Sequence, residues 1–386
     1  LASTEAKPAY SITTTIDSRL QYWLQRSMGD KVGAVVVLER DTSRVLAMVS
    51  SPGFDPNIFN PLIHTHYEVS DLIQDSQKPL YNRASQGVYA PGSIFKVISM
   101  AAALQTGVFT PDRVYRCDSQ WTEYQGWVGD NWTYTRGFAS DGDLTLVEGL
   151  MRSCNPWFWH IGLTLWNDGY TTSIPDEAFT YGLGAKTGIE IEEFEGAVNY
   201  PDNAFDYFQM AIGQSTLQIS ALQAANFAAA IGNGGYLHRP TLIDRIGFMG
   251  EDPIFAFTEP ELIRQVDTLP ENLEAIQDGM IRVIRNPSGT AAFQFERFPG
   301  KLAGKTGTAE TSLGKPHAWF IGYTFNNDPD KPDIAVAVIL EYGGEGSEMA
   351  APLFRRAVSL YFSNADDPGG TLPWEKRPYE ALEEEE

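Results

Sequence analysis

Cysteine is scarce: Cys117 and Cys154 are the only two in the chain. Two thiols cannot build a disulfide framework, and neither sits in a CxxC pair or in a His/Cys cluster with zinc spacing. Two buried free thiols are the expectation, with a single bridge as the alternative. Basic residues are also few. The 28 Lys and Arg stand against 50 Asp and Glu, a formal charge of -22. Nucleic-acid binding needs clustered cations that release counterions, so that partner is excluded. Long apolar runs are missing, and none reaches the ~18 residues that a membrane span needs. No signal peptide is visible. A start at Leu1 instead of Met reads as a processed or trimmed chain, which leaves room for an N-terminal anchor outside it. The isolated His64-Thr65-His66 reads as a solvated loop, and no metal is expected.

What the sequence does have is a core. Of its 386 residues 43% are hydrophobic and 20% charged, the balance of one large or two ordinary folded domains. "KVGAVVVLERDTSRVLAMVSSP" reads as two strands, Gly33–Leu38 and Val45–Val49, around a polar turn. Ahead of it, "SRLQYWLQRSMGD" has apolar residues at helical spacing and a Gly-Asp stop. Three more strands, in "KLAGKTGTAE", "AWFIGYTF" and "IAVAVILEY", and a helix in "SEMAAPLFRRAVSLYF" lie near the other end. Between them the helical candidates are Ser93–Gln105, Thr145–Leu165, Gln218–Ile231 and Glu271–Ile284.

Short connections favour antiparallel pairing. The expected fold class is α/β, of the α+β kind: an antiparallel sheet of about five strands, flanked by helices. The sheet draws on about 30–50 and 300–345, and a mainly helical lobe is inserted over about 80–295. A cleft between sheet and lobe is the natural site. This unit spans 10–365, and 366–386, ending in "EALEEEE", reads as a solvated acidic tail. Residues 121–138, "WTEYQGWVGDNWTYTRGF", read as a surface excursion, either a self-packed loop or a substrate-contacting lip.

Three short motifs carry chemistry. In "YAPGSIFKVISMAAAL", Ser93 and Lys96 are three apart on a helix, so their side chains share a face. Pro91-Gly92 sets Ser93 in the first turn, where unpaired N–H groups and the positive dipole end stabilise a developing oxyanion. Ile94, Phe95, Val97, Ile98 and Met100 bury the rest, leaving Ser93 and Lys96 at the cleft edge. A lysine on so apolar a helix must be paired or neutral. The same spacing recurs at Ser312 and Lys315, in a Gly-containing turn where nothing fixes the two side chains on one face.

In "MRSCNPWFWHIG", Ser153 and Asn155 precede Pro156 at a helix start. Locally they read as cap residues. Chemically, the Ser153 hydroxyl relays a proton and the Asn155 amide holds a substrate amide. In "LAGKTGTAE", small residues around Lys305 let another backbone lie alongside the strand. Lys305 supplies a cation for a carboxylate, Thr306 and Thr308 supply hydroxyls, and the Thr308 N–H is an oxyanion donor. "AKTGIE" repeats the tripeptide at Lys186-Thr187-Gly188, with Ile189 where Thr308 has its hydroxyl.

The ordered set SxxK, SxN, KTG resembles the transpeptidase domain of penicillin-binding proteins, most of all the monofunctional class B kind. The resemblance covers nearly the whole chain, through "TTIDSRLQ", "GAVVVLERDTSRVLAMVSSPGFDPN", "LYNRASQGVYAPGSIFK", "RSCNPWFWHIG", "YGLGAKTGIEI", "AIGQSTLQISALQAANFAAAIGNGGYLHRPTLI", "AGKTGTAE" and "HAWFIGY". In such domains "KTGI" after "GLG" is structural, which sets Lys186 aside. The implied fold is β-lactamase/transpeptidase-like.

The resemblance implies Ser93 as the acylated nucleophile, Lys96 as its base and Ser153 as the relay. Asn155, Thr306, Gly307 and Thr308 hold the substrate, Lys305 adds its charge, and the N–H groups of Ser93 and Thr308 form the oxyanion hole. For Lys96 to act near neutrality its pKa must fall from ~10.4 toward ~7–8, a cost of about 4 kcal/mol. Further implications are peptidoglycan stem peptides ending in D-Ala-D-Ala as substrates, β-lactams as acylating mimics, and no cofactor. A glycosyltransferase is the implied partner, at the extracytoplasmic face of the bacterial membrane. Two features depart from the family: Ile94 stands where Thr is frequent, and 121–138 matches no common pattern.

Rival readings share parts of this set. A β-lactamase needs a second base, and Glu195-Gly196-Ala197-Val198-Asn199 lacks the Glu-x-x-Leu-Asn spacing. A D,D-carboxypeptidase is a further variant. A β-lactam sensor shares all three motifs but has no reason for the long N-terminal match. A cell-wall scaffold would tolerate loss of Ser93 or Lys305, and both are kept.

Overall fold

The computed structural model describes residues 9–60, 62, 69–248, 250–312, 314–363 and 372–375. Five strands form one antiparallel sheet in the order Leu302–Ala309, His317–Thr324, Ile334–Leu340, Gly33–Glu39, Val45–Ser51. The two ends of the chain meet inside it, with Leu340 opposite Gly33 and Ile334 opposite Glu39. This is the sheet expected from both ends. The central strands "GAVVVLE" and "IAVAVIL" are buried at every position, as continuous apolar runs covered on both faces should be.

The two-residue period of a strand divides those runs between two cores. Ala34, Val36, Leu38, Ala335, Ala337 and Ile339 face the inserted helical part. Val35, Val37, Val336, Val338 and Leu340 face the helices Ser18–Met28 and Ala351–Phe362. On the inner face lies the helix Ala221–Gly232, whose run of buried alanines lets it sit close to the sheet. Its start is fixed by a capping box of Ser220 and Gln223.

Three expectations need correction. The helix read over Thr145–Leu165 is two helices, Leu146–Arg152 and Asn155–Asn167. Ser153 turns left-handed at φ 55, ψ 37, and Pro156, which has no N–H to give, opens the second helix. Ser93 lies in a 3-10 turn, Gly92–Phe95, that leads into the helix Lys96–Gln105. The cysteines are not free thiols. Cys117 and Cys154 form a disulfide, with Cα atoms 6.2 Å apart. The reason is topological. Strand Val114–Cys117 pairs with Gly142–Thr145, which runs directly into the Leu146–Arg152 helix and brings the two sulfurs together.

Part of the tail read as solvated is packed on the domain. Within it, residues 372–375 dock on the domain: Glu375 is buried and pairs with Arg356 at 3.0 Å, and the Trp374 indole donates to Ser27 O at 3.1 Å. The rest of 366–386 lies outside the described residues, as do His64 and His66. Among the described residues no helix is long and apolar enough to cross a membrane.

Candidate active site

The strand Leu302–Ala309 is an edge of the sheet, and the Ser93 turn is clamped against it. Gly92 takes φ +55, and a Cβ there would stand 2.6 Å from Thr308 O. On its other side the Gly92 N–H donates to Gly213 O at 2.9 Å. Only glycine tolerates both the left-handed backbone and this approach. Gly307 plays the matching part on the strand: it is buried, and a Cβ would meet Ile94 Cγ2 at 2.8 Å. The Trp319 indole fixes the turn from below by donating to Ala90 O at 3.0 Å.

This clamp sets Ser93, half-buried, on the wall of a cleft of about 860 Å³ that Ser153, Asn155, Thr306 and Thr308 also line. Lys96 and Lys305 lie behind that wall with no exposed surface. Lys96 Nζ donates to Ser153 O at 2.8 Å, to Asn155 Oδ1 at 2.5 Å and to Ser153 Oγ at 3.4 Å. Lys305 Nζ donates to Ser153 Oγ at 2.8 Å and to Thr306 O at 3.0 Å. Both ammonium nitrogens therefore converge on one hydroxyl. Two buried cations so close cannot both keep their charge at ordinary cost. Burial, then the neighbouring Lys305, hold Lys96 well below the usual lysine range. Burial alone pushes Lys305 down to about 7.

The left-handed Ser153 corner is braced from the segment that the sequence left unassigned. The Asn155 N–H donates to the Asn131 Oδ1 at 3.2 Å, and the Trp132 indole donates to Arg152 O at 3.0 Å. Arg152 pairs with Asp141 at 2.7 Å and lies over the Trp132 ring. The disulfide ties Cys154, between Ser153 and Asn155, to Cys117 at the end of the strand that precedes this segment. Residues 121–138 thus form a largely exposed excursion that is anchored to the core at Trp121, Gly129, Asn131 and Thr133. Trp121 is buried, and Trp127 meets Trp159 edge-on at 5.2 Å. Their far end also lines the cleft through Trp127, Asp130, Trp132 and Arg136. The sequence signal for this role was the density of aromatic residues, Trp121, Trp127 and Trp132 among them.

Neither look-alike motif puts its lysine on the cleft, although Gly314 of the first one lines the cleft's rim. Ser312 and Lys315 are exposed, and neither lines the cleft. Thr187 and Gly188 are held by the Glu193 carboxylate, which accepts from the Thr187 hydroxyl at 2.7 Å and the Gly188 N–H at 2.8 Å. Lys186 is exposed beside that turn. Glu195 is exposed and does not line the cleft either.

A hydroxyl at a cleft wall, two buried lysines sharing a second hydroxyl and an edge strand along the cleft define the active-serine, penicillin-recognising class of proteins. Residues 33–359 match the penicillin binding protein transpeptidase domain, and the chain belongs to that family. Peptidoglycan D,D-transpeptidase MrdA of Haemophilus influenzae is 31% identical over 94% of this chain and 58% of its own length. The chain thus spans a little over half of that relative. Penicillin-binding protein A from M. tuberculosis, as an imipenem acyl-enzyme complex, superposes with a TM-score of 0.79 at 28% identity, over 92% of this chain and 80% of that one. A chain from a peptidoglycan synthase complex that coordinates polymerization and crosslinking gives 0.79 at 29% identity, over 94% of this chain and 64% of that one.

Proposed function

We propose that this chain is a peptidoglycan D,D-transpeptidase domain that acylates Ser93 with stem peptides ending in D-Ala-D-Ala and passes the acyl group to an amine of a second stem. The observation that carries this reading is the convergence of Lys96 and Lys305 on Ser153 Oγ, in a cleft that Ser93 and the edge-strand residues Thr306 and Thr308 also line. The donor peptide adds to the Leu302–Ala309 edge as an extra strand, with Asn155 on its amide and Lys305, Thr306 and Thr308 toward its terminal carboxylate.

Neutral Lys96 takes the Ser93 hydroxyl proton as Oγ bonds to the penultimate D-Ala carbonyl. The oxyanion that forms lies on the N–H groups of Ser93 and Thr308, each such donor worth roughly 3 kcal/mol. The proton moves from Lys96 through the Ser153 hydroxyl to the leaving nitrogen, the peptide C–N bond breaks, and D-Ala departs. An acceptor amine then attacks the ester, and the same groups run in reverse and return the proton to Ser93. A β-lactam follows the first half, and its amine stays tethered after ring opening. In the resting geometry Lys96 faces Ser153 and Asn155; contacts to a nucleophile tighten when substrate fills the cleft.

The buried disulfide suits the extracytoplasmic side, where cysteines stay oxidised. The synthase-complex relative supports a glycan-polymerising partner. Intact-protein mass spectrometry with a penicillin tests the reading. A stable adduct on the peptide holding Ser93, absent in Ser93→Ala and kept in Ser312→Ala, is expected. An adduct that survives Ser93→Ala would overturn it, and one that hydrolyses rapidly would make the chain a β-lactamase.

A further inference from the structure

Thr308 already has a carboxylate. Its hydroxyl donates to Glu345 Oε2 at 2.9 Å, and the other oxygen, Oε1, pairs with Arg136 at 3.0 Å. Arg136 also reaches Glu348, so the contact spans the mouth of the cleft from the 121–138 segment to the loop before the last helix. Glu345 is not there by chance of side-chain reach. Next to it, Gly346 lies so close to the edge strand that a Cβ would stand 2.2 Å from Gly307 O. A threonine hydroxyl has one proton to donate, so it cannot serve Glu345 and an incoming carboxylate together.

We propose that Glu345 is an internal stand-in for the substrate's terminal carboxylate, and that Glu345 and Arg136 together set selectivity for carboxylate-bearing donors. This rests on the reading above, in which Thr308 receives that carboxylate. A donor carboxylate takes the Thr308 proton from Glu345, and Arg136 retains the displaced Glu345 and offsets its charge. When the cleaved D-Ala leaves, Glu345 reclaims Thr308, which clears the cleft for the acceptor. A ligand without a carboxylate makes no such exchange and is indifferent to Glu345.

The test measures acylation of Ser93 by an N-acyl-D-alanyl thioester of thioglycolate and by its carboxamide twin. Glu345→Gln should raise the rate constant for the carboxylate form about fivefold and leave the carboxamide within about twofold, the scale of a part-exposed charge pair. Arg136→Gln, which leaves Glu345 uncompensated, should lower the carboxylate rate by about the same factor. The double variant should recover at least the wild-type rate. Equal changes with both thioesters would overturn the proposal, and so would a double variant as slow as Arg136→Gln alone. A wild-type chain that acylates on Ser93 with unaltered selectivity in Glu345→Gln sinks only this inference. No acylation of Ser93 in the wild type sinks it together with the functional reading.

Discussion

Replacing Lys305 by methionine removes one of two buried cations and keeps most of the side-chain volume. Both lysine nitrogens bond to Ser153 Oγ, at 3.4 and 2.8 Å, so they are no more than about 6 Å apart. At that distance, with an effective dielectric constant of about 20, their repulsion is about 3 kcal/mol. The sign follows from which form is charged. Lys305 as a cation disfavours the ammonium form of Lys96, so its removal lets the Lys96 pKa rise. Acylation needs neutral Lys96, and its rate climbs as pH passes that pKa. The acid limb of the pH profile should therefore move to higher pH in Lys305→Met. It should stay near its wild-type place in Lys305→Arg. The wild type should also lose rate above about 7, where Lys305 sheds its proton, and the methionine variant should lack that fall. The assay is the second-order rate constant of penicillin acylation across pH. The position of a limb is independent of its height, so a lower maximum in Lys305→Met is no obstacle. A limb that does not move while the maximum drops would refute the coupling and leave Lys305 as a carboxylate anchor only.

Two further outcomes follow from burial and cross-linking. Reduction of the Cys117–Cys154 bridge, which closes a separation of 37 residues, should cost about 4 kcal/mol of stability. Because Cys154 sits between Ser153 and Asn155, penicillin acylation should slow as well; calorimetry and acylation rates that ignore the reductant would refute the brace. Glu177 is raised to about 7 by burial, with the charge of Asp267 adding to it and the Thr268 hydroxyl partly opposing. Its folded state holds a proton that the unfolded chain sheds, so the stability it carries is full at low pH and lost as pH rises through about 7. Glu177→Gln should thus exceed the wild type by about 3 kcal/mol at pH 8 and by little at low pH. Urea melts at the two pH values measure this, and an equal gap at both would count against it.

The sheet was legible because its information is local: an apolar run of seven needs no partner to declare a covered strand, and two such runs at opposite ends declare one sheet. The motifs were legible for the same reason, since Ser93 and Lys96 carry their relation in their spacing. What escaped the sequence depends on pairs far apart in the chain. Cys117 meets Cys154 only because a two-strand ribbon turns the chain back, and Asn131 matters only because it reaches the Asn155 N–H. The break at Ser153 was half visible: Pro156 marked a helix start, but the left-handed residue before it is a serine, which carries no signal of that kind. Glu345 is the strongest case. It is one of 50 acidic side chains, and no local pattern separates it from the others. Its place at Thr308 exists because Gly346 has no Cβ to hold the loop away from Gly307. The residue that reveals Glu345 is therefore its neighbour, and only the packed backbone of the edge strand shows what that glycine is for.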